Sequence, residues 1–186
     1  MLKTLLAKHR AAHYVIAALI GASGVLCFAP FELFWLAPAV WLGLFVLLRS
    51  ADSVKQAALT GLSFGLGFFL TGVSWVYVSL SVFGGMPWWL AGIAAFLFCS
   101  VMALFPSLAG WIFKRWQPAA PWRQALLFAV LIAAVDWLRS WIFTGFPWLA
   151  VGYSQAPPSP LAGFAPLLGV HGLSLLVALS GALLLR

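Results

Sequence analysis

Residues 88–113 read WWLAGIAAFLFCSVMALFPSLAGWIF, with no charged side chain, and Lys114 and Arg115 follow at once. A helix needs roughly 20 apolar residues to cross a hydrocarbon core of about 30 Å. This run exceeds that length and ends on a basic pair, so it predicts a transmembrane helix. The rest of the chain has the same character. Of its 186 residues 65% are hydrophobic and 7% charged, and the mean hydropathy is +1.08. Soluble domains carry about a quarter charged residues, so a soluble globular class is excluded. The 11 tryptophans also suit a chain with two water–lipid interfaces.

Working outward from 88–113, five further apolar runs stand out, at approximately 14–29, 33–48, 57–78, 124–143 and 166–185. The reading is an all-α, polytopic membrane helix bundle of six spans, forming one transmembrane domain over 1–186. The basic N-terminus followed by an apolar stretch has no A-x-A cleavage site, so it reads as a retained first span. Pro30 and Pro38, in the hairpin FAPFELFW (28–35) and just after it, favour a tight turn and a helix start.

The charges orient the bundle. Lys3, Lys8 and Arg10 precede the first run, and Arg49 and Lys55 lie between the second and third. Lys114, Arg115 and Arg123 lie between the fourth and fifth, and Arg186 follows the sixth. Nine of the ten basic residues thus fall on one side. Basic residues concentrate in cytoplasmic loops, so the N-terminus is expected in the cytoplasm. The same rule accounts for the formal charge of +7 without nucleic acid as a partner.

On the opposite side lie FAPFELFW, SLSVFGGMPWW (79–89) and TGFPWLAVGYSQAPPSPLAG (144–163). The third is far longer than a turn needs, and loops of that length are often functional. In it, Phe146, Pro147 and Trp148 could wall an acyl-chain pocket, and Tyr153 could present a hydroxyl to a head group. Trp75 and Tyr77 belong to the same aromatic belt, for which ordinary interfacial anchoring is the plainer reading. Around them apolar and polar residues alternate from Trp75 to Val82, which suggests an extended segment or a helix end with one wet side.

Asp136 and Arg139 stand three apart and share a helix face. With the fifth run at 124–143, Asp136 lies about seven residues, roughly 10 Å, inside its outer end, where an ionisable group usually faces a bundle interior or a wet cavity. Two readings stay open: an ion pair that fixes packing, or an Arg139 that holds an anionic group such as a lipid phosphate while Asp136 orients it.

Cys27 and Cys99 lie in apolar runs and read as small buried hydrophobes, although a disulfide between them is open. His9, His13 and His171 lack metal-ligand spacing, so no metal and no cofactor is expected. No GxSxG-type setting joins the available Ser, Asp and His residues.

The run DWLRSWIFTGFPWLAVGYSQ (136–155), followed by SPLAGFAPLLGVHGLS (159–174), resembles the apolipoprotein N-acyltransferase family of bacterial inner membranes. GVSWVYVSLSVFGGMP (72–87) and FAPF (28–31) are similar to the same family's outer-face segments. The resemblance implies transfer of an acyl chain from a phospholipid donor to the N-terminal amine of a diacylglyceryl-cysteine lipoprotein acceptor, through a thioester acyl-enzyme. It also implies a bacterial inner-membrane location, with the three unusual loops on the periplasmic face among membrane lipids. The family fold is an eight-span bundle with a periplasmic nitrilase-like domain, and the catalytic Glu, Lys and Cys lie in that domain. The resemblance implies a Glu in many relatives at the place where this sequence has Asp136. The sequence ends at Arg186, directly after the sixth run. The nitrilase-like domain is therefore expected to be missing, no catalytic residue is expected within 1–186, and the chain alone is expected to be inactive. A transporter or channel component is the alternative, and a membrane scaffold a third class.

Overall fold

Ser53 starts the helix on which the bundle is assembled. Its hydroxyl accepts the Gln56 N–H at 3.1 Å, and the Gln56 side chain accepts the Asp52 N–H at 2.8 Å. This reciprocal cap satisfies donors that the first helical turn leaves free. Prolines in the first turn start three other helices, where the missing N–H costs nothing.

The structure is a computed structural model describing residues 10–156 and 159–185. Lys3, Lys8, His9 and Arg186 lie outside the described residues. All regular elements among the described residues are helical: α1 (Arg10–Ser23), α2 (Ala37–Ser50), α3 (Val54–Gly72), α4 (Trp75–Val78), α5 (Trp88–Arg115), α6 (Pro121–Arg139) and α7 (Ala165–Leu183). Single 3-10 turns extend α1 to Cys27 and precede α2 from Phe34, and a π turn, Ser79–Phe83, continues α4.

α3 packs between α1 and α5; α5 then meets α6, α6 meets α7, and α7 meets α2, which returns to α1. Small residues permit the close approaches. Gly61 and Gly65 of α3 fit around Pro106 of α5, where an added Cβ would strike the Pro106 carbonyl or ring. Beside them Ser107 donates to the Ala58 carbonyl at 2.9 Å. Small residues with a cross-helix hydrogen bond are what holds helices together where lipid removes the hydrophobic drive. The centre is aromatic: Trp41 meets Phe64 with ring centroids 5.1 Å apart, and Phe45 meets Phe128 at the same distance.

The outside is apolar too. Leu90, Ile93, Leu97, Val101, Leu104, Leu108 and Trp111 form an exposed stripe along the whole of α5. A stripe of that length at helical spacing has no place in water and fits a lipid environment.

The expectation of six full spans is corrected. Among the described residues three helices are long and apolar enough to cross a membrane, Trp88–Arg115, Pro121–Arg139 and Pro160–Leu183, and a fourth counts if Val54–Gly72 and Trp75–Phe83, bent by 51°, form one broken span. Ala11–Cys27 and Phe34–Ser50 are shorter apolar helices. At about 1.5 Å per residue they reach roughly 25 Å, under the ~30 Å of hydrocarbon.

Two local points are also decided. Of the two readings left open for residues 75–82, the structure shows the helix end: 75–83 are helical, and Trp75, Tyr77, Val78 and Val82 are exposed, so no single buried face imposed the alternation. The fifth run stops at Arg139 instead of Phe143: Trp141 already leaves helical angles at φ −135°, and Phe143 and Thr144 are left-handed. Asp136 therefore lies in the last helical turn.

Candidate functional site

The long segment after α6 is built from the helix end outward. Phe143, Thr144 and Gly145 have φ of 53°, 77° and 82° and reverse the chain. At Gly145 a Cβ would run into the Ser140 carbonyl, so only glycine fits. The Phe146 N–H then bonds back to the Arg139 carbonyl at 2.9 Å. Leu149 is also left-handed, at φ 59°. Non-glycine residues in this region cost about 1–3 kcal/mol each and persist only where their surroundings over-determine them.

Asp136 and Arg139 supply that determination. Arg139 Nη1 donates to the carbonyls of Phe146 and Trp148, each at 2.6 Å, and Nη2 to Asp136 Oδ1 at 3.1 Å. The guanidinium also lies over the Phe69 ring, 5.2 Å from its centroid. Asp136 Oδ2 accepts the Val151 N–H and the Ser174 hydroxyl, both at 2.8 Å. Ser174 Oγ in turn accepts the Gly152 N–H at 2.9 Å. The Val170 carbonyl also lies 3.2 Å from that hydroxyl, but the closer, charged carboxylate takes the proton. An arginine, an aspartate and a serine on two helices thus grip the backbone of 146–152.

Arg139 is 2% exposed and Asp136 6%. They stand behind the loop, not on its surface, so the packing reading of the pair is the one the geometry carries. Direct grip of a lipid phosphate does not fit a guanidinium already bonded to two carbonyls and a carboxylate.

Sequence reasoning missed Ser174 and the next polar knot. Gln155 Nε2 donates to the Phe34 carbonyl at 3.3 Å, tying the loop to the first hairpin, and the Ser159 hydroxyl donates to Gln155 Oε1 at 2.6 Å. Three buried polar residues, Ser154, Gln155 and Ser159, on a segment flanked by apolar runs were the available signal.

The gripped loop faces a cleft of about 540 Å³ lined by Val25, Phe28, Gly72, Trp75, Pro147, Trp148, Leu149 and Tyr153 among others. It lies where the first hairpin, the break after α3 and the long loop converge. Trp75 and Trp148 meet edge to face across it, with centroids 5.4 Å apart. Of the residues singled out in the sequence, Trp75, Pro147, Trp148 and Tyr153 come together here. Two others do not. Phe146 packs edge-on against Phe98 at 4.9 Å. Tyr77 lines a separate, more open groove of about 470 Å³ with Trp88, Trp89 and Phe96.

Elsewhere, Cys27 and Cys99 are buried free thiols. His13 Nε2 lies 2.8 Å from the Thr60 hydroxyl. Since Thr60 gives its own proton to the Gln56 carbonyl, the imidazole is the donor. No three His, Cys, Asp or Glu side chains converge among the described residues.

A bundle apolar outside as well as inside, with an aromatic-rimmed apolar cleft at one end, defines a helical membrane protein. Comparison with known proteins narrows the class. The family described as "Apolipoprotein N-acyltransferase N-terminal domain" matches residues 20–183. The apolipoprotein N-acyltransferase of Nitrosomonas europaea is 52% identical over 90% of this chain and 34% of its own length. Those of Ralstonia nicotianae and Chromobacterium violaceum are 42% and 43% identical, over 91% and 90% of this chain and 33% and 32% of their own lengths. The chain belongs to the apolipoprotein N-acyltransferase family, and it spans about a third of the length of the curated relatives it matches.

Proposed function

We propose that this chain is the membrane portion of a phospholipid:apolipoprotein N-acyltransferase of the bacterial inner membrane, and that its cleft receives an acyl chain of the phospholipid donor. The observation that carries this reading is the cleft itself. Its lining is apolar, its rim is tryptophan and tyrosine, and it opens at the end of an apolar-sided bundle. A site of that kind suits an amphiphile with its tail inside and its polar head at the aromatic rim.

Trp75, Pro147, Trp148 and Tyr153 contact the donor. Asp136 and Arg139 act through the loop they hold, and Phe146 and Tyr77 support the surfaces beside the cleft. The basic residues in the helix ends that flank the connections 51–53 and 116–120 face the cytoplasm, and the cleft then faces the periplasm.

In the reaction, the donor's ester C–O bond breaks as a C–S bond forms to a thiol, and the lysophospholipid leaves with the proton. The N-terminal amine of a diacylglyceryl-cysteine lipoprotein then attacks the thioester, forming an amide and releasing the thiol. The thiol and its Glu and Lys partners belong to a nitrilase-like domain outside 1–186. Cys27 and Cys99 are deeply buried (3% and 1% exposed), which supports the reading that the chain by itself does not catalyse transfer.

The test is acyl transfer from labelled phosphatidylethanolamine to a diacylglyceryl peptide. The chain should be assayed alone and joined to the remainder of the Nitrosomonas europaea relative. Only the joined protein should transfer label. Transfer by the chain alone, or a folded joined protein that forms no acyl-enzyme, contradicts the proposal.

A further inference from the structure

Gly72 is the last residue of α3 and lines the cleft. A Cβ there would collide with Leu149 Cδ1, lie 3.0 Å from Val25 Cγ2 and come within 3.5 Å of Leu149 Cδ2. All of these atoms belong to side chains that line the same cleft. The place a methyl would take is therefore already held by the Leu149 side chain, which packs against Gly72 in the cleft wall, and the backbone of Gly72 is helical, so nothing but space calls for glycine.

Leu149 has nowhere else to yield. Its backbone is pinned on both sides: the Trp148 carbonyl accepts from Arg139 and the Val151 N–H donates to Asp136. The Ala150 N–H closes the turn onto the Pro147 carbonyl at 3.0 Å. Leu149 itself is buried, so a side chain displaced from Gly72 turns toward the open space beside it, which is the cleft.

We propose that the Gly72–Leu149 contact is the gauge that sets the acyl-chain length the cleft admits, making both specificity-determining residues. This rests on the reading of the cleft as the acyl-donor site. A pocket in which a single methylene changes packing discriminates between chains by about 10-fold or more. A methyl at 72 that drives the Leu149 isobutyl group into the cleft removes room for more than one.

The experiment uses the 186-residue chain in vesicles containing phosphatidylethanolamine with a photoreactive diazirine at the end of a short or a long acyl chain, with cross-links mapped by mass spectrometry. In the unaltered chain both probes should label Val25, Phe28 or Leu149. Gly72→Ala should lower long-chain relative to short-chain labelling of Val25 and Phe28 by about 10-fold, and Gly72→Ala with Leu149→Ala should restore it. Leu149→Ala alone should shift the ratio the opposite way, which keeps the test valid if Gly72→Ala folds poorly. Gly163→Ala, where an added Cβ meets nothing within 4 Å, should leave the ratio unchanged. Labelling that stays in the cleft with an unchanged ratio in both Gly72→Ala and Leu149→Ala overturns the gauge and leaves the donor site standing. Labelling confined to outward residues of α5 such as Leu97 and Leu104 overturns the donor site and the gauge with it.

Discussion

Arg139 reaches past the end of its own helix to donate to the Trp148 carbonyl at 2.6 Å, nine residues later. Nη1 alone bonds the carbonyls of 146 and 148 while Nη2, on the other arm of the guanidinium fork, meets Asp136. A lysine ammonium is a point charge on a flexible stem and cannot reproduce that planar fork. Each hydrogen bond to a charged group contributes about 1.5–3 kcal/mol, so Arg139→Lys should destabilise by roughly that much. Arg139→Gln leaves Asp136 buried without its cation and should cost about 3–5 kcal/mol. Denaturant unfolding in detergent measures both. Midpoints equal to that of the unaltered chain would mean that the loop holds itself.

Ser174 closes the same network from α7, donating to Asp136 and accepting from Gly152. Ser174→Ala strands a buried N–H and removes one of the donors to the carboxylate, a loss of about 1–3 kcal/mol. Amide hydrogen exchange should locate that loss. Protection at Gly152 and Val151 should fall while protection in α3 and α5 stays as it was. A uniform change across the bundle would argue against a local clamp.

The helical class was legible because apolar runs such as 88–113 leave no alternative, and the Asp136–Arg139 pair was legible because three-residue spacing puts two side chains on one helix face. The span count was not. The first two runs differ from full spans by a few residues. The alternation at 75–82 could not choose between an extended segment and a helix end, since a period-two argument needs one buried face and these residues have none. The role of Arg139 depended on where the loop returns. Nothing local to DWLR says that the carbonyls of Phe146 and Trp148 will come back to the guanidinium. Ser174 carried even less signal, because one hydroxyl in an apolar helix looks the same whether it faces a carboxylate or its own backbone.

The proposed orientation follows from Arg49, Lys55, Lys114, Arg115 and Arg123, which lie in the helix ends flanking the two short connections 51–53 and 116–120. Both native cysteines are buried, which leaves little background for thiol labelling. A cysteine placed at the exposed Ser53 should react with an impermeant maleimide only after the inner membrane is opened, and one at the exposed Gly163 should react in intact spheroplasts. The reverse pattern would invert the bundle and put the cleft on the cytoplasmic side.

The central claim is that the aromatic-rimmed cleft, held open by the buried pair behind it, binds a phospholipid. Native mass spectrometry of the 186-residue chain, released from phosphatidylethanolamine-containing membranes in mild detergent, tests it most directly by counting retained lipid. Trp148→Ala and Trp75→Ala each remove a ring from the rim, and each should lose the retained phosphatidylethanolamine with the unfolding temperature nearly unchanged, because both indoles are exposed. Trp111→Ala, on the outer stripe of α5, should keep it. Equal lipid retention by all three variants and the unaltered chain would contradict the account, since it would mean that the lipid adheres to the apolar sides of the bundle and the cleft takes no part.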